Sequence, residues 1–295
     1  MTIILKLSGG LGNQIFQYSA AKALATHHQI PLKIDLDWFD NTPMGSTPRQ
    51  EMLSRLKIHP QFVHSKGLPL NLPEMQISTL NKLIRGLTRK KLIYREKKAF
   101  IFQKDFFKQQ APLYLEGYWQ SHKYIAPIRE TLLKEITPNF PLNSITVKYL
   151  EQINSCPNSI MLHIRRGDYV TLNAANQFHG VLSLQYYINA LSNLKDLPSS
   201  KVFVFSDDIE WAKNHLTNSL PTIFIENIPS DYAVVEELFL MKHCQYHIIA
   251  NSSLSWLGAW LCEKAEKQVF APKKWLANQA FPMDDLIPLT WQLIE

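Results

Sequence analysis

Met161–Val170 reads MLHIRRGDYV, an apolar, β-type run that passes straight into two arginines, a glycine and an aspartate. In α/β folds ligands bind beyond the carboxyl ends of parallel strands, so Arg165-Arg166-Gly167-Asp168 puts fixed positive charge where a phosphate would sit. Arginine suits that place better than lysine, because its planar fork holds two phosphate oxygens at once and stays charged at working pH. The stretch points to an anionic ligand. The plainer alternative is a pair of arginines that neutralises carboxylates on a solvated edge.

Outward from this stretch the pattern alternates. Ser159–Ile164 is expected as a strand, Ser183–Leu194 as a helix, Lys201–Phe205 as a strand, Ile209–His215 as a helix and Thr222–Ile225 as a strand. Val234–His243 then reads as a helix, His247–Ala250 as a strand, Leu254–Lys264 as a helix and Gln268–Ala271 as a last strand. Short apolar strands alternating with helices specify an α/β fold with a parallel, doubly wound sheet. Chemically rich residues recur at the strand ends: His163, Arg165, Arg166 and Asp168, then Ser206-Asp207-Asp208, then Asn251-Ser252-Ser253. The last group leads into a helix, where amides and hydroxyls either seat a diphosphate or form an ordinary N-cap. With Arg165 they make a clamp that would stabilise a departing diphosphate and take over a metal ion's role. Asp207 joins this donor set, and Glu237 and His163 are candidates to read a purine edge. For Glu237 the alternative is an exposed helix position.

The first half opens with a strand over Thr2–Leu7, a turn at Ser8-Gly9-Gly10-Leu11-Gly12, and a helix carrying Phe16, Ala20, Ala23 and Leu24 at helical spacing. A backbone approaches a ligand closely at such a turn. However, Ile15 follows where a dinucleotide fingerprint needs its third glycine, and no Gly-Lys-Ser/Thr is present, which argues against the usual dinucleotide site and a P-loop. Pro31–Asp37 is a second strand, and its Asp35-x-Asp37 either holds a divalent cation or caps the next turn. Between Asn41 and Pro112 the pattern weakens. The basic run Arg85–Lys98 there reads as a solvated helix face, with a peripheral contact to anionic lipid as the alternative. Ala111–Gln120 is strand-like, its Tyr114, Tyr118 and Trp119 are assigned to core rather than to a sugar-stacking face, and a helix is expected through Glu135. Thr137-Pro138-Asn139-Phe140-Pro141 reads as the linker between domains 1–140 and 141–295.

The 295 residues, 46% of them hydrophobic, suffice for two cores. A net charge of +6 suits a phosphate-bearing ligand or an anionic surface and does not demand nucleic acid. Cys156, Cys244 and Cys262 have neither metal-type spacing nor an even count, and they read as buried small hydrophobes in a reducing compartment. The opening MTIILKLSGG lacks the length and basic flank of a signal peptide or membrane span, so a cytoplasmic protein is expected, with peripheral contact at the inner membrane as an extension.

Three segments carry a family resemblance. Gly9-Gly10-Leu11-Gly12-Asn13-Gln14-Ile15-Phe16-Gln17, His163-Ile164-Arg165-Arg166-Gly167-Asp168-Tyr169 and Asn251-Ser252-Ser253-Leu254-Ser255-Trp256-Leu257-Gly258-Ala259-Trp260 resemble the ordered motifs of glycosyltransferase family 11, the α-1,2-fucosyltransferases. The resemblance spans nearly the whole chain and is to bacterial enzymes of surface glycans. It implies a GT-B fold of two Rossmann-like domains facing across a cleft, with an acceptor-side N-terminal domain and a C-terminal domain that binds GDP-fucose. It further implies GDP-β-L-fucose as donor, inversion, no metal or other cofactor, and transfer to the 2-hydroxyl of a terminal β-galactoside on an oligosaccharide or lipid-linked glycan. On the pattern shared with other fucosyltransferases, His163 would touch guanine and Arg165 the β-phosphate. Gly10, Leu11, Ser252 and Ser253 would line the diphosphate and ribose. Glu237 stands where those enzymes carry a guanine-pairing aspartate, one methylene shorter. An inverting transfer needs a proton acceptor, for which Asp168 ranks first and His179, Asp35 and Asp37 follow; Asp168 alternatively holds Arg166 in place. Acceptor choice is expected to lie within 40–107. The rival classes are a non-catalytic nucleotide-sugar or phosphate binder, and a nucleic-acid binder using the 85–98 run; the latter lacks interleaved basic and aromatic residues.

Overall fold

The computed structural model describes residues 1–43, 47–64, 92–167, 170, 177, 180–277 and 282–295. Asp168, His179 and the 85–91 part of the basic run lie outside the described residues. By its contacts the chain forms two α/β units. One is Met1–Ser54 with Ile58–Leu132, the other Arg55–Lys57 with Leu133–Glu295. The division thus falls ahead of the proline pair that the sequence marks as a linker. Thr137–Asn139 is fastened to the second unit instead: the Lys57 amide donates to Thr137 O at 2.8 Å, the Asn139 amide to Arg55 O at 3.1 Å, and Lys242 Nζ to Ile136 O at 3.2 Å.

The first unit is built on a parallel sheet of β1 (Ile3–Lys6), β2 (Leu32–Asp35), β3 (Gln61–Val63), β4 (Ile93–Arg95) and β5 (Leu113–Glu116), in the order β3-β2-β1-β5-β4. Helix α1 (Leu11–His28) follows β1 and stops at Gln29, whose left-handed φ of 55° lets its N–H close on Ala25 and Thr26. Ile93–Arg95, read as helical from its charges, is a strand, and Arg95 Nε donates to Glu116 on the neighbouring β5 at 2.6 Å. Tyr114 and Trp119 are buried, with Trp119 stacked on Tyr94 at 5.6 Å, while Tyr118 is exposed. The helix expected through Glu135 is two short turns, His122–Ile125 and Ala126–Ile128, leading into α2 (Arg129–Glu135).

The second unit opens with α3 (Ser144–Ser155), capped by Asn143 Oδ1 accepting from the Ile145 amide at 2.9 Å. Its parallel sheet comprises β6 (Asn158–Ile164), β7 (Ser200–Ser206), β8 (Thr222–Phe224), β9 (Tyr246–Ile248), β10 (Gln268–Pro272) and β11 (Gln292–Ile294). The order is β11-β10-β9-β6-β7-β8. The chain runs outward from β6 to β8 and then restarts at β9 on the other flank, so β6 and β9 border the topological switch point, the crevice where such sheets bind ligands. Ile160, Leu162 and Ile164 face one core with Tyr186, Val202, Val204, Ile248 and Phe270, and the alternate Met161 and Phe203 are buried as well. Burial of each large side chain contributes about 1.5–3 kcal/mol.

Helices α4 (Leu184–Ser192), α5 (Ile209–His215), α6 (Ala233–Met241) and α7 (Ser253–Leu261) connect these strands. Helix α7 ends at Leu261 rather than at Lys264, because Lys267 Nζ donates to the terminal carbonyls of Ala259, Trp260 and Cys262 at 2.8, 3.2 and 2.8 Å. All three cysteines are buried and free. Among the described residues no helix is long and apolar enough to cross a membrane.

Candidate active site

The register of the second sheet brings the arginines of one loop to the aspartates of the next. Ile164 pairs with Ser206, so the following Arg165-Arg166 and Asp207-Asp208 leave the sheet side by side. Arg165 Nη1 lies 2.9 Å from Asp207 Oδ2, and Asp207 Oδ1 accepts from the Arg166 amide at 2.8 Å. Gly167 completes the arrangement, since a Cβ there would overlap the Asp207 carboxylate. Arg166 is held separately: its Nε is 3.4 Å from Asp208 Oδ2 and its guanidinium lies 3.8 Å over the Trp211 ring. Asp208 in turn caps α5, accepting from the Trp211 amide at 3.3 Å.

His163 and Glu237 join Arg165 on this side of the unit. His163 is 4% exposed, its Nδ1 has no partner among the described residues, and burial, aided by the charge of Arg165, lowers its pKa to about 3. It is therefore a neutral imidazole with an open ring nitrogen. On α6, burial raises the Glu237 pKa to about 7; the Asp207 charge pushes the same way and Arg165 opposes them. Asp207, Arg165 and Glu237 thus form one electrostatic group. Glu237 is not the exposed helix position of the plainer reading, whereas its neighbour Glu236 is structural and accepts from the Asn143 amide at 2.9 Å.

Across the switch point, β9 hands over to α7. Ser252 is the N-cap and accepts from the Leu254 amide at 3.3 Å, and Ser253 opens the helix. Asn251 Nδ2 donates to Gly180 O and Trp275 O, both at 3.2 Å, tying the loop after β6 to the one after β10. His163, Arg165, Asp207, Ser252 and Ser253 therefore all lie in or beside the strand ends that border the crevice.

Gly10 and Leu11 belong to the first unit, at the carboxyl end of β1. Gly9 takes a left-handed φ of 77°, where a side chain would meet Asn13 Nδ2 at 2.9 Å. Gly10 caps α1 with no side-chain bond to the helix amides, and Arg49 Nε would lie 3.9 Å from a Cβ at Gly10. Two buried glutamines brace the turn. Gln14 donates to Gly9 O and Gln50 O at 2.8 Å each and accepts from the Met52 amide, while Gln17 accepts from the Ser8 amide at 2.9 Å. Asp35, considered as a base or metal ligand, is buried and accepts from Tyr114 Oη at 2.7 Å and from the Asp37 amide at 3.0 Å. These bonds make it a brace of the sheet. Asp37 and Asp40 flank His64 Nδ1 at 3.5 and 3.1 Å, a mostly exposed ion-pair group.

The profile of Glycosyl transferase family 11 matches residues 2–295. This chain belongs to glycosyltransferase family 11. It is 33% identical over 299 residues to the Alpha-1,2-colitosyltransferase of Escherichia coli, covering 99% of each chain. It is 34% identical over 290 residues to the O-antigen biosynthesis glycosyltransferase WbnK of Escherichia coli, covering 92% of this chain and 94% of the relative. Among solved structures, fucosyltransferase NodZ from Bradyrhizobium superposes with a TM-score of 0.49 at 13% identity, covering 88% of this chain and 91% of that one. Each of the two units is an α/β fold on a parallel sheet, as the family resemblance implies for each half of the chain.

Within this family 11 transferase, the sequence names Asp208 in the strand-end group and Gln14 and Gln17 in the first motif without a role for any of them, and Trp211 is not singled out. Asp208 and Trp211 carried a signal, an N-cap aspartate three residues ahead of a tryptophan after a strand. What joins them to Arg166 is the β6–β7 register, which comes only with the sheet.

Proposed function

We propose that this family 11 glycosyltransferase moves L-fucose from GDP-β-L-fucose to the 2-hydroxyl of a terminal β-galactoside, with inversion and without a metal ion. The observation that supports this reading is that β6, which leads into Arg165, pairs with β9, which leads into α7, at the topological switch point. As the glycosidic bond breaks, charge grows on the departing diphosphate. A guanidinium that exchanges Asp207 for phosphate oxygens, together with the α7 amides, compensates that charge in place of a cation. His163 and Glu237 read the guanine in this account. Asp168, directly beyond Arg165-Arg166-Gly167, is the first choice to receive the acceptor proton.

A second donor has specific support. The whole-length likeness to an α-1,2-colitosyltransferase makes the GDP sugar of colitose, which is L-fucose without its 3-hydroxyl, a competing substrate. A site that hydrogen-bonds the 3-hydroxyl rejects the deoxy sugar strongly, whereas one that packs apolar surface there discriminates weakly. An acceptor on a bacterial surface glycan fits the O-antigen relative.

The test offers GDP-fucose and GDP-colitose to the protein with lactose or lacto-N-biose, excess chelator present, and reads product by mass spectrometry. Fucosylated product that vanishes in Arg165→Ala, with an α-1,2 linkage on analysis, is the expected result. Transfer of colitose alone moves the assignment to the second donor. GDP binding without transfer to either acceptor supports a non-catalytic binder, and a chelator-sensitive reaction overturns the metal-free mechanism.

A further inference from the structure

The two arginines that leave β6 together are held in different ways. Arg165 has its guanidinium on Asp207, a carboxylate shared with the Arg166 amide, and its charge is coupled to His163 and Glu237. Arg166 has the opposite surroundings. Its Nε edge is on Asp208 and its flat face is covered by Trp211. Trp211 is itself fixed, its amide bonded to Asp208 Oδ1 and its ring stacked on His215 at 4.6 Å, with interplanar angle 11°. Asp208 is held from below by Ser206 Oγ, which accepts its amide at 3.0 Å. A guanidinium stacked on one face and drawn along its Nε edge toward a carboxylate is oriented by its surroundings, and it helps fix the backbone of its own residue.

We infer that Trp211 is a positioning residue of the transferase: through the stacked Arg166 it sets the loop from which Arg165 reaches the donor diphosphate. The mechanical path is short. Trp211 and Asp208 fix the Arg166 side chain, Asp207 fixes the Arg166 amide and the Arg165 guanidinium, and Gly167 lies against that carboxylate. Loss of the ring leaves the charge count of the site unchanged and loosens only the loop. Because Arg165 matters most when charge develops on the leaving group, the loosening is felt in the chemical step more than in donor binding.

The inference rests on the donor reading of Arg165, and a double-mutant cycle separates the two. Trp211→Leu is expected to lower kcat about ten-fold, with the donor KM changed by less than about three-fold. Trp211→Phe, which keeps a ring face, is expected to restore most of the rate. In an Arg165→Lys background, Trp211→Leu is expected to add almost nothing, because its effect runs through the fork that lysine lacks. Equal losses in both backgrounds, or a wild-type kcat in Trp211→Leu, would overturn the role of Trp211 while leaving the donor reading intact. If Trp211→Leu does not fold, Arg166→Lys takes its place in the same cycle, since a lysine keeps the charge and cannot stack as a plane. A wild type that neither transfers sugar nor binds GDP in calorimetry overturns the donor reading, and the inference with it.

Discussion

At the scale of single residues, the site is a balance of charges held before any ligand arrives. Glu237 has an ordinary carboxyl pKa of 4.5, which burial and Asp207 raise to about 7. The fold therefore binds this proton more tightly than the unfolded chain does. The residue's contribution to stability is greatest below pH 4.5, falls as the pH rises, and levels off above about 7. Guanine presents N–H donors, which only the ionised carboxylate accepts fully. Binding through Glu237 must then release a proton below pH 7, and GDP affinity should rise with pH, approaching about ten-fold per unit well below the folded pKa. Titration calorimetry from about pH 5.5 to 8 checks this. The wild-type Kd should tighten toward neutrality, whereas Glu237→Gln should bind weakly and keep only the shallower slope that ionisation of the GDP terminal phosphate adds at about pH 6; equal slopes in both proteins would remove Glu237 from the proposed guanine contact. His163 should contribute nothing to such a slope, since its pKa of about 3 keeps it neutral throughout. The placing of His163 and Arg165 together at a strand end is readable from the sequence, while Glu237 is favoured over an exposed helix position only through the family resemblance. The role of Asp207 as the hub of the group is not readable, because a carboxylate's partners on other strands are set by register alone.

At the scale of elements, legibility followed length and local chemistry. Helices α4 to α7 of the second unit are readable to within a few residues from their apolar spacing. The strands β3, β4 and β11 have three residues each, too few for a period, and each includes Gln61, Arg95 or Gln292, whereas the equally short β8 and β9 run on into the apolar Ile225 and Ile249-Ala250 that mark them. Helix α3, whose start Asn143 signals, begins just past the linker expected over Thr137–Pro141 and is not among the helices the sequence predicts. The last motif also gains an element-scale explanation. Gly258 on α7 faces α6, and a Cβ there would stand 2.7 Å from Met241 Cβ. Two effects oppose each other in Gly258→Ala: alanine favours an isolated helix by about 1 kcal/mol, while overpacking a core costs about 1–3 kcal/mol. The colliding atom is a Cβ close to the backbone, which cannot swing aside, so the overpacking should fall in the upper part of that range, about 2–3 kcal/mol, and win. Denaturant unfolding should show a net loss of about 1–2 kcal/mol; an unchanged or higher stability would mean that α6 and α7 separate freely.

At the scale of the whole molecule, two cores are assembled from a chain that does not divide cleanly in sequence. Arg55–Lys57, embedded in the first half, belongs with the second unit: Arg55 lies over the Tyr232 ring at 4.0 Å, Leu56 bridges Pro138, and the Lys57 amide donates to Thr137 O. A composition shift could mark Pro138 and Pro141, but no local signal shows that a three-residue strap from 80 positions upstream, on the order of a quarter of the chain, completes the segment. The consequence concerns which opening exposes each amide. An amide exchanges with solvent at the cost of unfolding the unit that protects it, so Lys57 should follow the second unit and Leu5, in the central strand β1, the first. Gly258→Ala supplies the perturbation, since it weakens only the α6–α7 packing. Hydrogen exchange followed by mass spectrometry or NMR should then show Lys57 and Leu162 accelerated together, by roughly five- to thirty-fold for a loss of 1–2 kcal/mol, while Leu5 keeps its wild-type rate. Acceleration of Leu5 to the same extent would mean that both cores unfold as one cooperative body. An unmoved Lys57 beside an accelerated Leu162 would mean that the strap opens by itself, so that its bonds to Thr137 and Tyr232 hold the linker only locally.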